Sequence, residues 1–416
     1  MSRRLRDHGP ALGFAAVAAW AAGYVSLFGF GWNDYDTEAL PAYTALTGGH
    51  VWQFLKLAPA YGGSLELRAP FALLPGLWHG SPDAVYQATS GACLVAAVML
   101  AVWLVARMRA IGQTRLAWAT TLVLCTFNPV TLYALQYGHA EELLGAVLCI
   151  GAVVSAQRGR AGWAGLLLGL AIVNKEWALL AIGPVLLALG AGRVRALLIA
   201  GAVSVVFYVP LLLPILAAHG SLGGFGPVSA ARAGQIFQPW QLWWFLGSHG
   251  HVIRDQWGIV KVGYRSPPGG LLSSIVHPLI IGLSVPATLL AARRGRRDAL
   301  LLLTFLLALR CALDTWNVVY YELPFLLALL AWESLSCRRP PVLSLAASVA
   351  VWLLLVEAPG RLTPDQMALI FAALALPSLL ALGLAVYGRG LTIPAVLRRD
   401  FGRRSSAPAA APISTV

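Results

Sequence analysis

The stretch Asn33-Asp34-Tyr35-Asp36-Thr37-Glu38 follows an apolar run, about 12–30, of a length suited to crossing a bilayer. It sets three carboxylates where that helix leaves the hydrocarbon, in a chain of which only 11% is charged. Acids at this boundary are costly to keep and are by default a functional hypothesis. Which side of the membrane they face is decided by the rest of the chain.

With 416 residues, 58% of them hydrophobic, and a mean hydropathy of +0.73, the composition is that of an integral membrane protein. Further apolar runs lie at about 84–106, 116–135, 142–157, 161–174, 177–192, 196–217, 271–292, 299–313, 318–335, 341–356 and 367–387. Together they predict an all-α, multi-spanning bundle of about twelve transmembrane helices. Residues 1–397 form one polytopic membrane domain. The tail 398–416, with Ser405-Ser406-Ala407-Pro408, reads as a disordered cytoplasmic segment. The N-terminal apolar stretch continues to about Phe30, longer than a signal-peptide core, and predicts an uncleaved helix.

A net charge of +13 could indicate a nucleic-acid partner, but the arginines cluster between spans. The clusters are Arg3/Arg4/Arg6, Arg107/Arg109/Arg115, Arg158/Arg160, Arg193/Arg195, Arg293–Arg297, Arg338/Arg339 and Arg389–Arg404. Placing every cluster in the cytoplasm, with both termini there, is consistent with all the spans. Most acids then fall on the outer face. Cys93, Cys125, Cys149, Cys311 and Cys337 have neither metal nor redox spacing and predict core packing.

Two long external loops follow, about 31–83 and 218–270. The second carries Phe237-Gln238-Pro239-Trp240-Gln241-Leu242-Trp243-Trp244-Phe245, which reads either as an interfacial aromatic girdle or as one wall of a lipid or sugar site. The runs 142–157, 161–174, 177–192 and 299–313 cover only about 21–24 Å of a ~30 Å core. Their polar outer ends should therefore sit in a recess. These ends carry His139, Glu141 and Glu142, then Lys175 and Glu176, then Arg310 and Asp314.

An outer-face acid directly after the first helix, followed by a long amphipathic loop, resembles the polyprenol-phosphate-sugar-dependent glycosyltransferases of the GT-C class, and most closely the family 87 mannosyltransferases of actinobacteria. Asp34 and Gly48 keep that family's spacing from the acid to a glycine ending a short helix. Glu38 stands where the family has Tyr, which leaves Asp34 and Asp36 both open as the catalytic acid. Gly165–Lys175 followed by Pro184, and Asp314–Pro324 with Tyr320, are similar to two further family segments.

The resemblance implies a GT-C-like fold and transfer of a hexose, mannose first, from a polyprenyl-phosphate donor to a glycolipid or glycan acceptor. The reaction would be inverting, on the outer face of the plasma membrane. Asp34 would be the general base, with Asp36 or Glu38 holding the acceptor or tuning Asp34. Arg68, Lys175 and Arg310 are the cation candidates for the donor phosphate. His139, Glu141 and Glu142 could bind sugar hydroxyls or a divalent metal; family 87 is not known for a metal, and none is expected. The rival class is a transporter or flippase of a lipid-linked or anionic substrate. It calls for mid-membrane ionisable groups and a repeat, and no repeat is visible.

Overall fold

The computed structural model describes residues 34–58, 62–78, 81–217, 237–250, 252–254, 260–295 and 298–388, with Gly13 and Ala16 singly. The predicted first span, the signal-peptide question and the predicted disordered tail lie outside the described residues. So do residues 218–236, 251 and 255–259 of the predicted loop 218–270.

Among the described residues the chain is helical, with only isolated β-bridges. Every apolar run after the first coincides with helix. α1 (Leu40–Thr47), α2 (Val51–Leu57) and α3 (Ser64–Leu73) are short. Then come α4 (Pro82–Ala110), α5 (Arg115–Thr126), α6 (Pro129–Gln136), α7 (Ala140–Gln157) and α8 (Ala161–Asn174). A 3-10 turn, Glu176–Ala181, leads into α9 (Ile182–Ala188), and α10 (Arg193–Ala217) follows. The second half holds α11 (Gly269–Arg293), α12 (Ala299–Leu313), α13 (Leu323–Ser336), α14 (Val342–Trp352) and α15 (Pro364–Tyr387).

Six helical segments among the described residues are long and apolar enough to cross a membrane, and others are shorter apolar helices. About twelve full spans were expected; among the described residues six helical segments reach that length, and the first expected span lies outside them. Several apolar runs make helices of 10–17 residues, among them Ala161–Asn174 and Ala299–Leu313. Arg193–Pro214, Ile275–Arg293 and Pro364–Tyr387 leave most of their side chains outward. Helices apolar on all sides fit a lipid environment. The shorter helices bury theirs in one continuous core.

Local chemistry fixes the helix ends. Ser81 caps α4 ahead of Pro82, Thr114 caps α5, and Asn128 caps α6 ahead of Pro129, each accepting a backbone N–H two or three residues on. Thr363 and Gln366 form a reciprocal capping box on α15. Close crossings rest on glycine. A Cβ at Gly169 would lie 2.8 Å from the Ala200 carbonyl oxygen, so α8 and α10 approach backbone to backbone.

The predicted first loop is not a loop. Tyr35–Ala39 is one wide π-type turn running into α1, and α1 to α3 pack around Tyr35, Tyr43, Phe54 and Leu65. Gly48 does end α1, as its spacing implied.

The aromatic stretch turns inward. Trp240 and Trp244 are buried, the Trp243 indole donates to the Leu313 carbonyl at 2.8 Å, and the Trp244 indole donates to Asp365 at 2.7 Å. Only Phe245 and Leu246 keep an exposed apolar face suited to a girdle. A carbonyl and a carboxylate at the helix ends take the indole N–H groups of Trp243 and Trp244, whereas the Trp240 indole is buried with no hydrogen-bond partner among the described residues.

The bundle has two chemically distinct ends. Arg107–Arg115, Arg158/Arg160, Arg193/Arg195, Arg293/Arg294 and Arg338/Arg339 gather at one, where Gln113 donates to the carbonyls of Ser334 and Cys337. The termini of α6, α8 and α12, and the starts of α7 and α13, lie at the other.

Candidate functional site

The acid-rich end is built from the turn at Tyr137-Gly138-His139. Gly138 has φ +92°, and a Cβ there would lie 2.6 Å from the backbone nitrogen of Tyr35. Only glycine lets the first helical turn rest on this corner. The Asp34 N–H donates to the Tyr137 carbonyl at 3.2 Å, which anchors the acidic segment. Because 34–39 is helical, Asp34 and Asp36 diverge: Asp34 is half-buried and points inward, and Asp36 is exposed.

From Asp34 a chain of polar contacts runs into the protein. Asp34 Oδ2 lies 2.9 Å from His139 Nε2, and His139 Nδ1 lies 2.7 Å from Glu141 Oε1. Glu141, fully buried, is flanked by Arg68 at 3.6 Å and Lys175 Nζ at 3.4 Å. Lys175 also reaches Glu142 at 3.4 Å, and Glu142 reaches Arg310 at 3.8 Å. Asn174 donates to the Glu141 carbonyl at 2.8 Å and accepts from Ser64, tying α8 to α7 and α3.

Burial alone would discharge His139. The carboxylates of Glu141 and Asp34, one at each ring nitrogen, outweigh it and raise its pKa to about 9. Burial likewise opposes the charge on Lys175, but Glu141 and Glu142 hold its pKa above the usual lysine range. At Asp314 burial is overcome by His277 and Arg310, and its carboxyl is held below the usual range.

The turn Val319–Glu322 gives the two ends of this chain a shared wall. Tyr320 stacks on His139, with ring centroids 3.8 Å apart, while Tyr321 lies under the Arg310 guanidinium at 4.5 Å. Trp177 takes the same guanidinium at 5.1 Å. Asn317 holds the turn by donating to the Trp240 carbonyl and to Glu322. Beside it is a cavity of about 70 Å³, lined by Lys175, Trp177, His277, Arg310, Asp314 and Tyr321 among others.

The residues picked from sequence thus gather as follows. Asp34, His139, Glu141, Glu142, Lys175, Arg310, Arg68 and Tyr320 form one connected cluster. Glu176 is exposed on the rim of the cavity, and Asp314 lines its wall. Glu38 is half-buried on the turn beside Asp34, near enough to Tyr320 to act on it electrostatically. Arg68 is buried against Glu141 rather than exposed, and it does not line the cavity. The carboxylate within ion-pair range of Arg310 is Glu142; Asp314 instead faces His277 at 3.3 Å.

Sequence reasoning missed His277, Trp177, Tyr321 and the corner at Gly138. His277 carried a usable signal, as an ionisable residue inside the apolar run 271–292. Trp177 and Tyr321 had none, because an aromatic beside an apolar run is ordinary packing.

Chemically, the cluster offers a carboxylate with one oxygen fixed by an imidazole. The cavity nearby is walled by two cations and by aromatic faces. No curated protein and no solved structure matches the chain. A family model described as Glycosyltransferase family 87 matches residues 63–316, which take in Arg68, His139 to Glu142, Lys175, Glu176, Arg310 and Asp314 and begin after Asp34. Over more than half its length, in the helices that build the cluster, this chain belongs to glycosyltransferase family 87.

Proposed function

We propose that this membrane glycosyltransferase moves a hexose, mannose as first candidate, from a polyprenyl-phosphate donor to a glycolipid or glycan on the outer face of the plasma membrane. The observation that carries this reading is the contact chain from Asp34 to Arg310. It joins a positioned carboxylate to a cavity walled by the half-buried Lys175 and the buried Arg310, beside the outward-facing apolar helix α11. The arginine clusters at the opposite end support an outer-face site by the positive-inside bias. Nucleotide sugars are cytoplasmic, so a lipid-carried donor is the one that reaches such a site.

In this reading the donor phosphate lies against Lys175 and Arg310, with Trp177, Tyr321 and Ile280 along its apolar carrier. Asp34 takes the acceptor hydroxyl proton on the oxygen not bonded to His139. The acceptor oxygen attacks the anomeric carbon opposite the phosphate. The carbon–oxygen bond to phosphate breaks, its electron pair leaves with polyprenyl phosphate, and the configuration inverts. Glu141 orients His139, and His139 orients Asp34; Arg68 and Lys175 balance the Glu141 charge. Asp36 and Glu38 face the acceptor side.

Lipid and glycan profiling of a deletion strain beside one carrying only Asp34→Asn tests the reading. The same truncated glycan in both supports it. A normal glycan profile in the Asp34→Asn strain contradicts it.

A further inference from the structure

At the arginine-rich end of the bundle, the starts of α8 and α10 enclose a hollow of about 540 Å³, lined by Arg160, Gly162, Trp163, Leu166 and Arg195 among others. Glycines let the two helices meet there. Gly192 has φ +78°, and a Cβ on it would lie 2.8 Å from that of Ala161. Gly165 rests against the Ala196 carbonyl, where a side chain would not fit. Arg195 is thereby held over the first turn of α8, its Nη2 3.8 Å from where a Cβ on Gly162 would stand.

The charge of the hollow is not balanced. Among the described residues no carboxylate lies in ion-pair range of Arg160 or Arg195. The acids at this end are engaged inside the bundle: Asp298 caps α12 and accepts the Trp332 indole N–H, and Glu333 accepts from Ser344. Beside the hollow, Arg158 lies over Trp103 at 4.8 Å, and partial burial with Arg107 and Arg160 nearby holds its pKa below the ordinary arginine range. Apolar surface adjoins the charge. Trp163 is 59% exposed, and Val194, Leu198 and Val205 are exposed on one face of α10. Arginines at one end of a membrane protein are ordinary topogenic bias and need no ligand. Two of them converging from different helices on one concavity, with an indole in its wall, go beyond that bias.

We propose that this hollow binds the phosphate of an anionic phospholipid from the leaflet at the arginine-rich end. Arg160 and Arg195 donate N–H groups to the phosphate oxygens, bonds that the two opposite charges strengthen. The Trp163 indole lies at the level of the glycerol and ester groups. The acyl chains run along Val194, Leu198 and Val205. A zwitterionic lipid carries its own cation and offers these arginines no net charge, so the site selects by headgroup charge. Two arginines at an anionic headgroup are together worth about 30-fold in affinity.

The test uses the purified full-length protein in a neutral detergent, titrated with dioleoyl-phosphatidylglycerol or dioleoyl-phosphatidylcholine and read by native mass spectrometry, which counts each bound lipid. The wild type should bind its first phosphatidylglycerol about 30-fold more tightly than phosphatidylcholine. Arg160→Gln combined with Arg195→Gln should bring phosphatidylglycerol down to the phosphatidylcholine level; both positions are exposed, so folding should be retained. Arg115→Gln combined with Arg293→Gln removes the same charge from exposed positions outside the hollow and should bind as the wild type does. Inorganic phosphate in excess should leave the lipid in place. A wild type that does not distinguish the two lipids overturns the proposal, as does unchanged affinity in the Arg160/Arg195 variant. Equal losses in the two double variants overturn it in favour of diffuse surface charge, and displacement by inorganic phosphate overturns the lipid as occupant.

Discussion

Asp34 and His139, 105 residues apart, meet through a 2.9 Å contact between Oδ2 and Nε2, and a 2.7 Å contact to Glu141 holds the imidazole from its other side. The arrangement fixes one carboxylate oxygen and leaves the second for the acceptor. It also depends on a corner that only glycine can form.

The corner gives the first prediction. Gly138→Ala would push a methyl group into the Tyr35 backbone and force the left-handed φ on alanine. Asp34 would then be displaced from His139 although both residues remain. Transfer should fall by about 10²-fold, as expected when a positioned group shifts by ~1 Å, with a loss of about 1–3 kcal/mol in stability. Steady-state kinetics and thermal unfolding of the purified variant check both.

A second prediction separates the two aspartates. Asp34→Asn should lose 10²–10⁴-fold in kcat, the usual range for removing a positioned base. Asp36→Asn should chiefly raise the acceptor KM, because its side chain is exposed on the neighbouring face of the turn. Near-normal kcat for Asp34→Asn, with kcat abolished in Asp36→Asn, would reverse the assignment.

Stability should depend on pH through His139. Its folded pKa, about 9, lies above the ordinary 6.5. The ion-pair contribution is therefore fully present below pH 6.5 and is lost as pH rises through 9. Thermal unfolding midpoints should fall across this window in the wild type. His139→Gln should be less stable at pH 6 and flatter toward pH 9.

A fourth prediction concerns the buried counter-ions. Arg68→Met leaves Glu141 with less positive charge around it in a fully buried site, so a cost of about 3–5 kcal/mol is expected. Arg68→Met combined with Glu141→Gln should recover part of that loss. Denaturation of the two variants decides it, and an equal loss in both would remove the pair from the account.

The helices were legible because long apolar runs report burial directly. The gathering of ionisable groups from the ends of short apolar runs was legible too, since such ends cannot reach as far as those of longer helices. Glu141, Lys175 and Arg310 were found that way. The folding of 34–78 into short helices was not legible, because its hydrophobic residues pack on one another rather than along one long periodic face. The pairings were also hidden. Arg68 next to Glu141 and Glu142 next to Arg310 are choices made by helix packing, which sequence spacing does not encode. Trp243 and Trp244 face inward where a carbonyl and a carboxylate at the ends of α12 and α15 accept their indole N–H groups, a coincidence visible only in space.

The central claim is transfer from a lipid-phosphate sugar with Asp34 as base. The most direct measurement is transfer by the purified protein in liposomes, with labelled polyprenyl-phosphoryl-mannose and a glycolipid acceptor from the native envelope, comparing wild type and Asp34→Asn. The account predicts an elongated glycolipid of inverted anomeric configuration, release of polyprenyl phosphate, and loss of both products in Asp34→Asn with folding retained. Use of a nucleotide sugar in place of the lipid donor would contradict it, as would movement of the intact lipid donor across the bilayer without transfer.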